Sequence, residues 1–389
     1  MFSRLIPFLI DFAEVAFLMD HTRLYRPRWK QEWTLLHTQD TGYETYYAFP
    51  ALLRRENDVL VTVKTGHKHW GDTHASLTQA TLNAPQQRVM DVQVIYEQND
   101  LTPQMGEIVQ MPNGDVCVYI DMQKNETSTR TGLWELRSFD GGKTYPVSRP
   151  VGVIDGVEYG YAMDAVVKGG QIWMLVMAFP YQTGERYREV HLITSKDNGE
   201  NWEFCANLKE LFGFPFNECA LLECDEGFLV FTRGETDRRD RKNSHDDFAS
   251  GQHLVVIDDQ YQVLRMRDYR ATTDFFTLTG RPRLYWLNNE LCLFTRQWNE
   301  DAENRLMSCD MFRLDPVTMD ILSRVRLDEP RFPKQDGHYP VAYTQNGLLH
   351  VITYITCPRD ERETFEQKCD LVQLSFRLDE VLGYGKENA

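Results

Sequence analysis

Asn217-Glu218-Cys219-Ala220-Leu221-Leu222-Glu223-Cys224-Asp225-Glu226-Gly227-Phe228-Leu229-Val230-Phe231-Thr232-Arg233 reads as two apolar strands joined by a turn at Asp225-Glu226-Gly227, a β-hairpin. A carboxylate opens its first strand and an arginine closes its second. The same pattern recurs five more times, opening at Phe49, Gly106, Met163, Arg281 and Tyr339. Successive openings lie 57, 57, 55, 63 and 58 residues apart. Each copy turns on a short polar or glycine-bearing stretch such as Asn113-Gly114, Gly169-Gly170 or Asn346-Gly347. Short strands at this period, with no helical pattern between them, predict four-stranded blades arranged radially. Six copies predict an all-β, six-bladed β-propeller of antiparallel blades. The strand over 370–376 is expected to complete the blade begun near Trp33-Thr34-Leu35-Leu36, which closes the ring and protects its edges. The expected organisation is an N-terminal arm over 1–30 and one propeller over 31–385.

Composition narrows the function. The 389 residues carry 42% apolar content, enough for a large core, and a formal net charge of −16. That charge argues against nucleic acid and anionic membranes as partners. An anionic substrate would have to be met by a local arginine cluster. The eight cysteines show no CxxC pair or zinc spacing, and several sit inside apolar runs, so a reducing, cytoplasmic setting without disulfides is expected. The opening run Met1-Phe2-Ser3-Arg4-Leu5-Ile6-Pro7-Phe8-Leu9-Ile10 hints at a signal peptide, which would make the protein secreted or periplasmic. Asp11, Glu14 and Asp20 interrupt it and no small-residue cleavage site follows, so a helix packed on the domain fits better. No cofactor is called for, and the oligomeric state is open.

A second motif lies between the hairpins. Ser138-Phe139-Asp140-Gly141-Gly142-Lys143-Thr144-Tyr145 and Ser195-Lys196-Asp197-Asn198-Gly199-Glu200-Asn201-Trp202 share the pattern Ser-x-Asp-x-Gly-x-x-aromatic. The aspartate is suited to fold back on turn amides, the glycine to take positive φ, and the aromatic to pin the turn. Ser308-Cys309-Asp310 reads as a decayed third copy. These turns resemble the Asp-box of sialidases and related BNR-repeat propellers.

In a propeller the first residue of each innermost strand stands at the mouth of the central channel. Here those positions hold Phe49, Gly106 (beside Glu107), Met163 (beside Asp164), Glu218, Arg281 and Tyr339. The later three are polar, different from one another and chemically useful. Over roughly residues 30 to 380 the chain resembles the sialidase (neuraminidase) family. Asn217-Glu218 with Arg233 resembles its glutamate strand and following arginine. Asn304-Arg305-Leu306 resembles its third-arginine strand, and Gly337-His338-Tyr339 the strand that opens with the nucleophilic tyrosine. Asp72-Thr73-His74-Ala75 resembles the loop of the acid/base aspartate. Tyr47-Ala48-Phe49-Pro50 resembles the Arg-Ile-Pro motif, with Ala48 in place of its arginine.

The resemblance implies a retaining exo-glycosidase acting on a terminal acidic sugar. Tyr339 would attack the anomeric carbon, Glu218 would take its proton, and Asp72 would act as acid/base. Arg233 and Arg305 would clasp the carboxylate, since a guanidinium fork matches that group, and Arg281 would fill the place left by Ala48. Asp164 and His338 stand beside mouth positions and are expected to line the pocket. His67, His69 and Trp70 crowd the loop before Asp72; substrate hydroxyls and a sugar face suit them better than a metal. Two other readings stand beside this one. The chain could be a carbohydrate-binding propeller without turnover, which Ala48 favours. Or it could be a hydrolase or lyase on uronic-acid glycans, using a histidine of the 67–69 loop or His338 as acid/base. The run from Arg233 to Lys242 reads as a solvated rim loop.

Overall fold

Each predicted hairpin is the inner half of a four-stranded antiparallel blade. The computed structural model describes residues 24–42, 44–83, 88–179, 189–234, 251–269, 278–300, 305–331, 336–356 and 368–384, without the side chains of 278, 298–300, 305 and 306. Blade 1 comprises Tyr46–Arg54, Asp58–Gly66, Ser76–Asn83 and Arg88–Glu97. Blade 2 comprises Leu101–Gln110, Val116–Lys124, Arg130–Ser138 and Val147–Pro150. Blade 3 is Val157–Lys168, Gln171–Ala178, Glu189–Ser195 and Glu203–Asn207; blade 4 is Phe216–Cys224, Gly227–Gly234, His253–Ile257 and Val263–Asp268. Leu278–Leu287, Glu290–Glu300, Arg305–Leu314 and Ile321–Asp328 form blade 5.

Blade 6 closes the ring as expected. Its strands Val341–Gln345, Leu348–Thr356 and Cys369–Arg377 are completed on the outside by Lys30–Leu36, from the other end of the chain. Blades 6 and 1 touch in the ladder at one parallel pair, Cys369 with Tyr46. Of the arm expected over 1–30, residues 1–23 lie outside those described, as do 235–242 of the predicted rim loop. Leu24–Tyr25 runs parallel to the outer strand of blade 5, and Tyr25 stacks on Tyr384 at 4.6 Å.

The core lies between blades, and the two-residue period of a strand explains it. Val59, Val61 and Val63 turn toward blade 6 and pack with Ile352 and Leu371. Leu60, between them, turns the other way and packs with Ile108, Val118 and Ile120 of blade 2. All are 4% exposed or less, and each such side chain contributes roughly 1.5–3 kcal/mol by leaving water.

The two predicted turns form alike. Gly142 N and Gly199 N donate to Ser138 Oγ and Ser195 Oγ, each at 2.7 Å. Thr144 N and Asn201 N donate to Asp140 Oδ1 and Asp197 Oδ1, each at 2.9 Å. Ser308-Cys309-Asp310 is not a third copy: it lies mid-strand, and buried Asp310 pairs with Arg324 and Arg326. The turn of blade 5 is built by Asp315, which accepts from Val317 N and Thr318 N at 2.8 and 2.7 Å. Asp258 does the same in blade 4 with Gln260 N and Gln262 N.

Candidate active site at the channel mouth

The ladder slips at the start of the inner strand in blades 1 to 5, between Ala48 and Ala51, Pro103 and Met105, Ala162 and Asp164, Phe216 and Cys219, and Gly280 and Arg283. A bulge of this kind re-aims a side chain. Phe49 and Arg281 sit inside these slips at φ 58° and 39°, and His338 in blade 6 at 60°. Positive φ is costly for residues with a Cβ and concentrates where function holds it in place.

In blade 4, Arg233 Nη1 donates to Glu218 Oε2 at 2.6 Å. Arg281 N donates to the same oxygen at 2.9 Å, and Tyr161 Oη to Oε1 at 3.3 Å. Burial opposes the Glu218 charge, but Arg233, Arg281 and Arg296 outweigh it and hold its pKa at about 2. Arg233 Nε is buried with no hydrogen-bond partner.

In blade 6, Tyr339 precedes the strand. Arg296 Nη2 donates to its hydroxyl at 3.3 Å, and the Arg296 guanidinium lies 4.4 Å from its ring centroid. Burial raises the Tyr339 pKa to about 12 although Arg296 pulls it down; Glu218 adds to the rise. Glu218 and Tyr339 thus face one mouth and feel each other's charge, but no hydrogen bond joins them; the tyrosine bonded to Glu218 is Tyr161.

Arg281 does reach into the channel. Its Nη1 donates to Tyr161 Oη, and its Nη2 to Glu107 Oε2 at 2.9 Å. Arg283 binds both Glu107 oxygens, at 3.0 and 2.6 Å, and Asp164 Oδ1 at 2.8 Å. Asp164 Oδ2 accepts from Leu221 N at 3.0 Å. Arg281 and Asp164 therefore belong to a buried network tying blades 2, 3, 4 and 5 together. Their polar atoms are used within it.

The remaining expected residues divide. Asp72 is fully buried; its Oδ2 lies 2.7 Å from Lys64 Nζ and its Oδ1 accepts from His67 N at 2.7 Å. Both of its oxygens are thus taken up within its own hairpin and loop. His338 is fully buried 3.7 Å from Asp328, and burial lowers its pKa to about 4 against the pull of that carboxylate. Trp70 is 53% exposed at the loop tip. Arg305 begins a strand, and its side chain lies outside the described residues. His69 sits at the mouth, its ring edge on Phe49 at 4.9 Å and its Nδ1 2.6 Å from Asp336 Oδ2.

Arg296, Tyr161 and Asp336 were not among the expected site residues. A signal for Arg296 exists: Arg281 and Arg296 repeat the fifteen-residue spacing of Glu218 and Arg233 one blade on. Asp336 accepts from Tyr46 Oη, from Arg296 Nη1 at 3.2 Å and from Gly337 N at 2.9 Å. Burial would raise its pKa, but His69, Arg296 and Tyr46 hold it at about 2.

No protein-family model matches this chain, and no curated protein matches it in sequence. Solved structures do match. A protein of unknown function from Dyadobacter fermentans is similar with TM-score 0.67 at 14% identity, over 89% of this chain and 98% of that one. An intramolecular trans-sialidase from Ruminococcus gnavus matches with TM-score 0.60 at 9% identity, over 89% and 97%. NanB sialidase from Streptococcus pneumoniae matches with TM-score 0.60 at 10% identity, over 90% and 71%. At such identities the likeness is one of fold: the chain is a sialidase-like β-propeller.

Proposed function

We propose, from the sialidase-like fold and the mouth it builds, that the protein processes glycosides with a terminal acidic sugar, with retention at the anomeric carbon. The observation that carries this is the pairing of Arg233 and Arg296 around Glu218 and Tyr339. Arg233 spends one guanidinium nitrogen on Glu218 and keeps a buried Nε without a partner. A buried donor of that kind suits a ligand oxygen.

Tyr339 would attack the anomeric carbon, and its phenol proton would pass to Glu218 once substrate tightens the mouth. Arg296 over the ring favours the phenolate that forms. A neutral phenol approaches an anomeric centre beside a carboxylate without the repulsion a carboxylate nucleophile meets. Among the described side chains, each arginine named at the mouth has a carboxylate partner: Arg233 has Glu218, Arg296 has Asp336, and Arg281 and Arg283 have Glu107. Such a balanced mouth suits one substrate carboxylate, not a polyanion.

The test is a panel of acidic 4-methylumbelliferyl glycosides with the unmodified protein. Tyr339→Phe should lower kcat on the best substrate by roughly a thousandfold or more. Arg233→Lys keeps the charge but loses the fork and should raise KM about tenfold. Glycan binding without turnover would make the chain a lectin-like propeller. A second reading, β-elimination on a uronic-acid glycan, would use His69 on Asp336 equally well; an unsaturated product, seen by its ultraviolet absorbance, would select it.

A further inference from the structure

Of the groups able to carry a proton in the loop after the first hairpin, Asp72 and His69 are treated by the fold in opposite ways. Asp72 has no exposed surface. Its partner Lys64 is also fully buried, and its Nζ reaches the carbonyls of Lys68 and His69 at 3.0 and 3.1 Å and Gln104 Oε1 at 2.7 Å. Asp72, Lys64 and Gln104 form a plug beneath the loop. Gln104 Nε2 also donates to His69 O at 2.5 Å, so the backbone that carries the histidine is held from below. Both Asp72 oxygens are taken up within the hairpin and its loop, Oδ2 by Lys64 Nζ and Oδ1 by His67 N, each at 2.7 Å, and none of the carboxylate meets solvent.

His69 is placed otherwise. Its side chain keeps 23% of its surface exposed, while Nδ1 lies 2.6 Å from Asp336, which is fully buried. Tyr46 Oη also touches Nδ1, at 3.2 Å. Asp336 orients the ring, as the buried carboxylate of a Ser-His-Asp triad does. Asp336 reaches Arg296 at 3.2 Å, and Arg296 reaches Tyr339 at 3.3 Å. Phe49 touches both reactive side chains, His69 at 4.9 Å and Tyr339 at 5.4 Å between ring centroids, which brings the imidazole and the phenol to one mouth.

We infer that His69, positioned by Asp336, is the acid/base of the proposed glycosidase, in the role a loop aspartate would otherwise fill. The inference rests on the glycosidase reading above. In the first step the bond from the anomeric carbon to the leaving oxygen breaks, and its electron pair stays on oxygen, which takes the proton from His69 Nε2. The Tyr339 oxygen bonds to carbon and its proton goes to Glu218. In the second step neutral His69 takes a proton from water, the hydroxide oxygen bonds to carbon, and the tyrosyl–carbon bond breaks. Tyr339 then recovers its proton from Glu218.

A leaving group that needs no protonation separates this role from a structural one. His69→Gln should lower kcat/KM by about a hundredfold or more on an alkyl glycoside of the preferred sugar, and by less than about tenfold on its 4-methylumbelliferyl glycoside. Asp336→Asn, which frees the ring to turn, should show the same leaving-group split at smaller size, about tenfold on the alkyl glycoside and less than about threefold on the 4-methylumbelliferyl glycoside. Equal losses on both glycosides, or a leaving-group split in Asp72→Asn with none in His69→Gln, would overturn the inference while leaving the glycosidase reading intact. No turnover of any glycoside by the unmodified protein would overturn both.

Discussion

In blade 4 the residue at the bulge of the inner strand and the one fifteen places on are Glu218 and Arg233; in blade 5 they are Arg281 and Arg296. In blade 1, on the other side of the mouth, the same places hold Phe49 and Lys64, with Ala48 just before. Both walls use the same bulged hairpin. The first turns its cations into the mouth. The second covers its cation with an aromatic ring, Lys64 Nζ lying 5.9 Å from the Phe49 centroid, and spends it on the 67–72 loop. Ala48 thus stands in a differently built wall, in which a lysine anchors a loop and the loop presents a histidine.

The largest effect should come from the point where the cationic wall is tied down. Glu107 holds both Arg281 and Arg283, and all three are at most 6% exposed. Glu107→Gln leaves two buried guanidiniums sharing Asp164 and the Tyr161 hydroxyl. Removing one partner of a buried pair costs about 3–5 kcal/mol. A fall of that size in unfolding free energy, read from urea titrations, would show the network to be the keystone of blades 2 to 5; a change under about 1 kcal/mol would make Arg281 a group available to ligand.

The propeller was legible because its signal is periodic: six hairpins at near-equal spacing need no tertiary knowledge. The opening residues Glu218 and Tyr339 were legible for the same reason, as was the closing Arg233. Arg296 could have been read from the repeated fifteen-residue interval, but Arg305 drew the eye through its likeness to a family strand. Asp336 and Tyr161 carried no local signal. Asp336 meets His69 across 267 residues, a pair that only ring closure brings together, and Tyr161 meets Glu218 across 57, from one blade to the next. Asp72 shows the converse. Its loop context fits an acid/base, but Lys64 and Gln104, from two different strands, bury it.

His338, at the opening of blade 6, sharpens the comparison through pH. It is buried neutral, with its pKa lowered from 6.5 to about 4, so the unfolded chain binds a proton there that the folded chain does not. Its contribution to stability is whole above pH 6.5 and is lost as pH falls toward 4, by up to about 3 kcal/mol. Glu218 and Asp336, both held near 2, contribute stability present above their unfolded values and lost as pH falls through 2. Acid should therefore destabilise the protein in two stages. His338→Asn keeps a side chain that tolerates the left-handed backbone and removes the titration. The slope of unfolding free energy between pH 6.5 and 4 should flatten in that variant and the lower stage should remain. An unchanged slope would place the proton elsewhere.

The smallest effect expected is the one a simple loss of the third arginine would make large. If blade 1 were a sialidase wall short of one side chain, Ala48→Arg should restore a clamp and raise kcat/KM on sialosides by tenfold or more, the worth of one charge-assisted hydrogen bond. The space is not there. Ala48 has no exposed surface, pairs across the ladder with Lys64, and packs in a cluster with Tyr46, Phe49, Tyr339 and Tyr354. An arginine at this point meets a filled core and a like charge on the neighbouring strand. Overpacking costs about 1–3 kcal/mol, so the variant should melt earlier with no gain in sialoside turnover. Adding Lys64→Met removes the opposing charge but also releases the carbonyl of His69, and should lower activity further. If Ala48→Arg instead gains activity at unchanged stability, blade 1 is a lost clamp, and Lys64 is a bystander to the chemistry of the mouth.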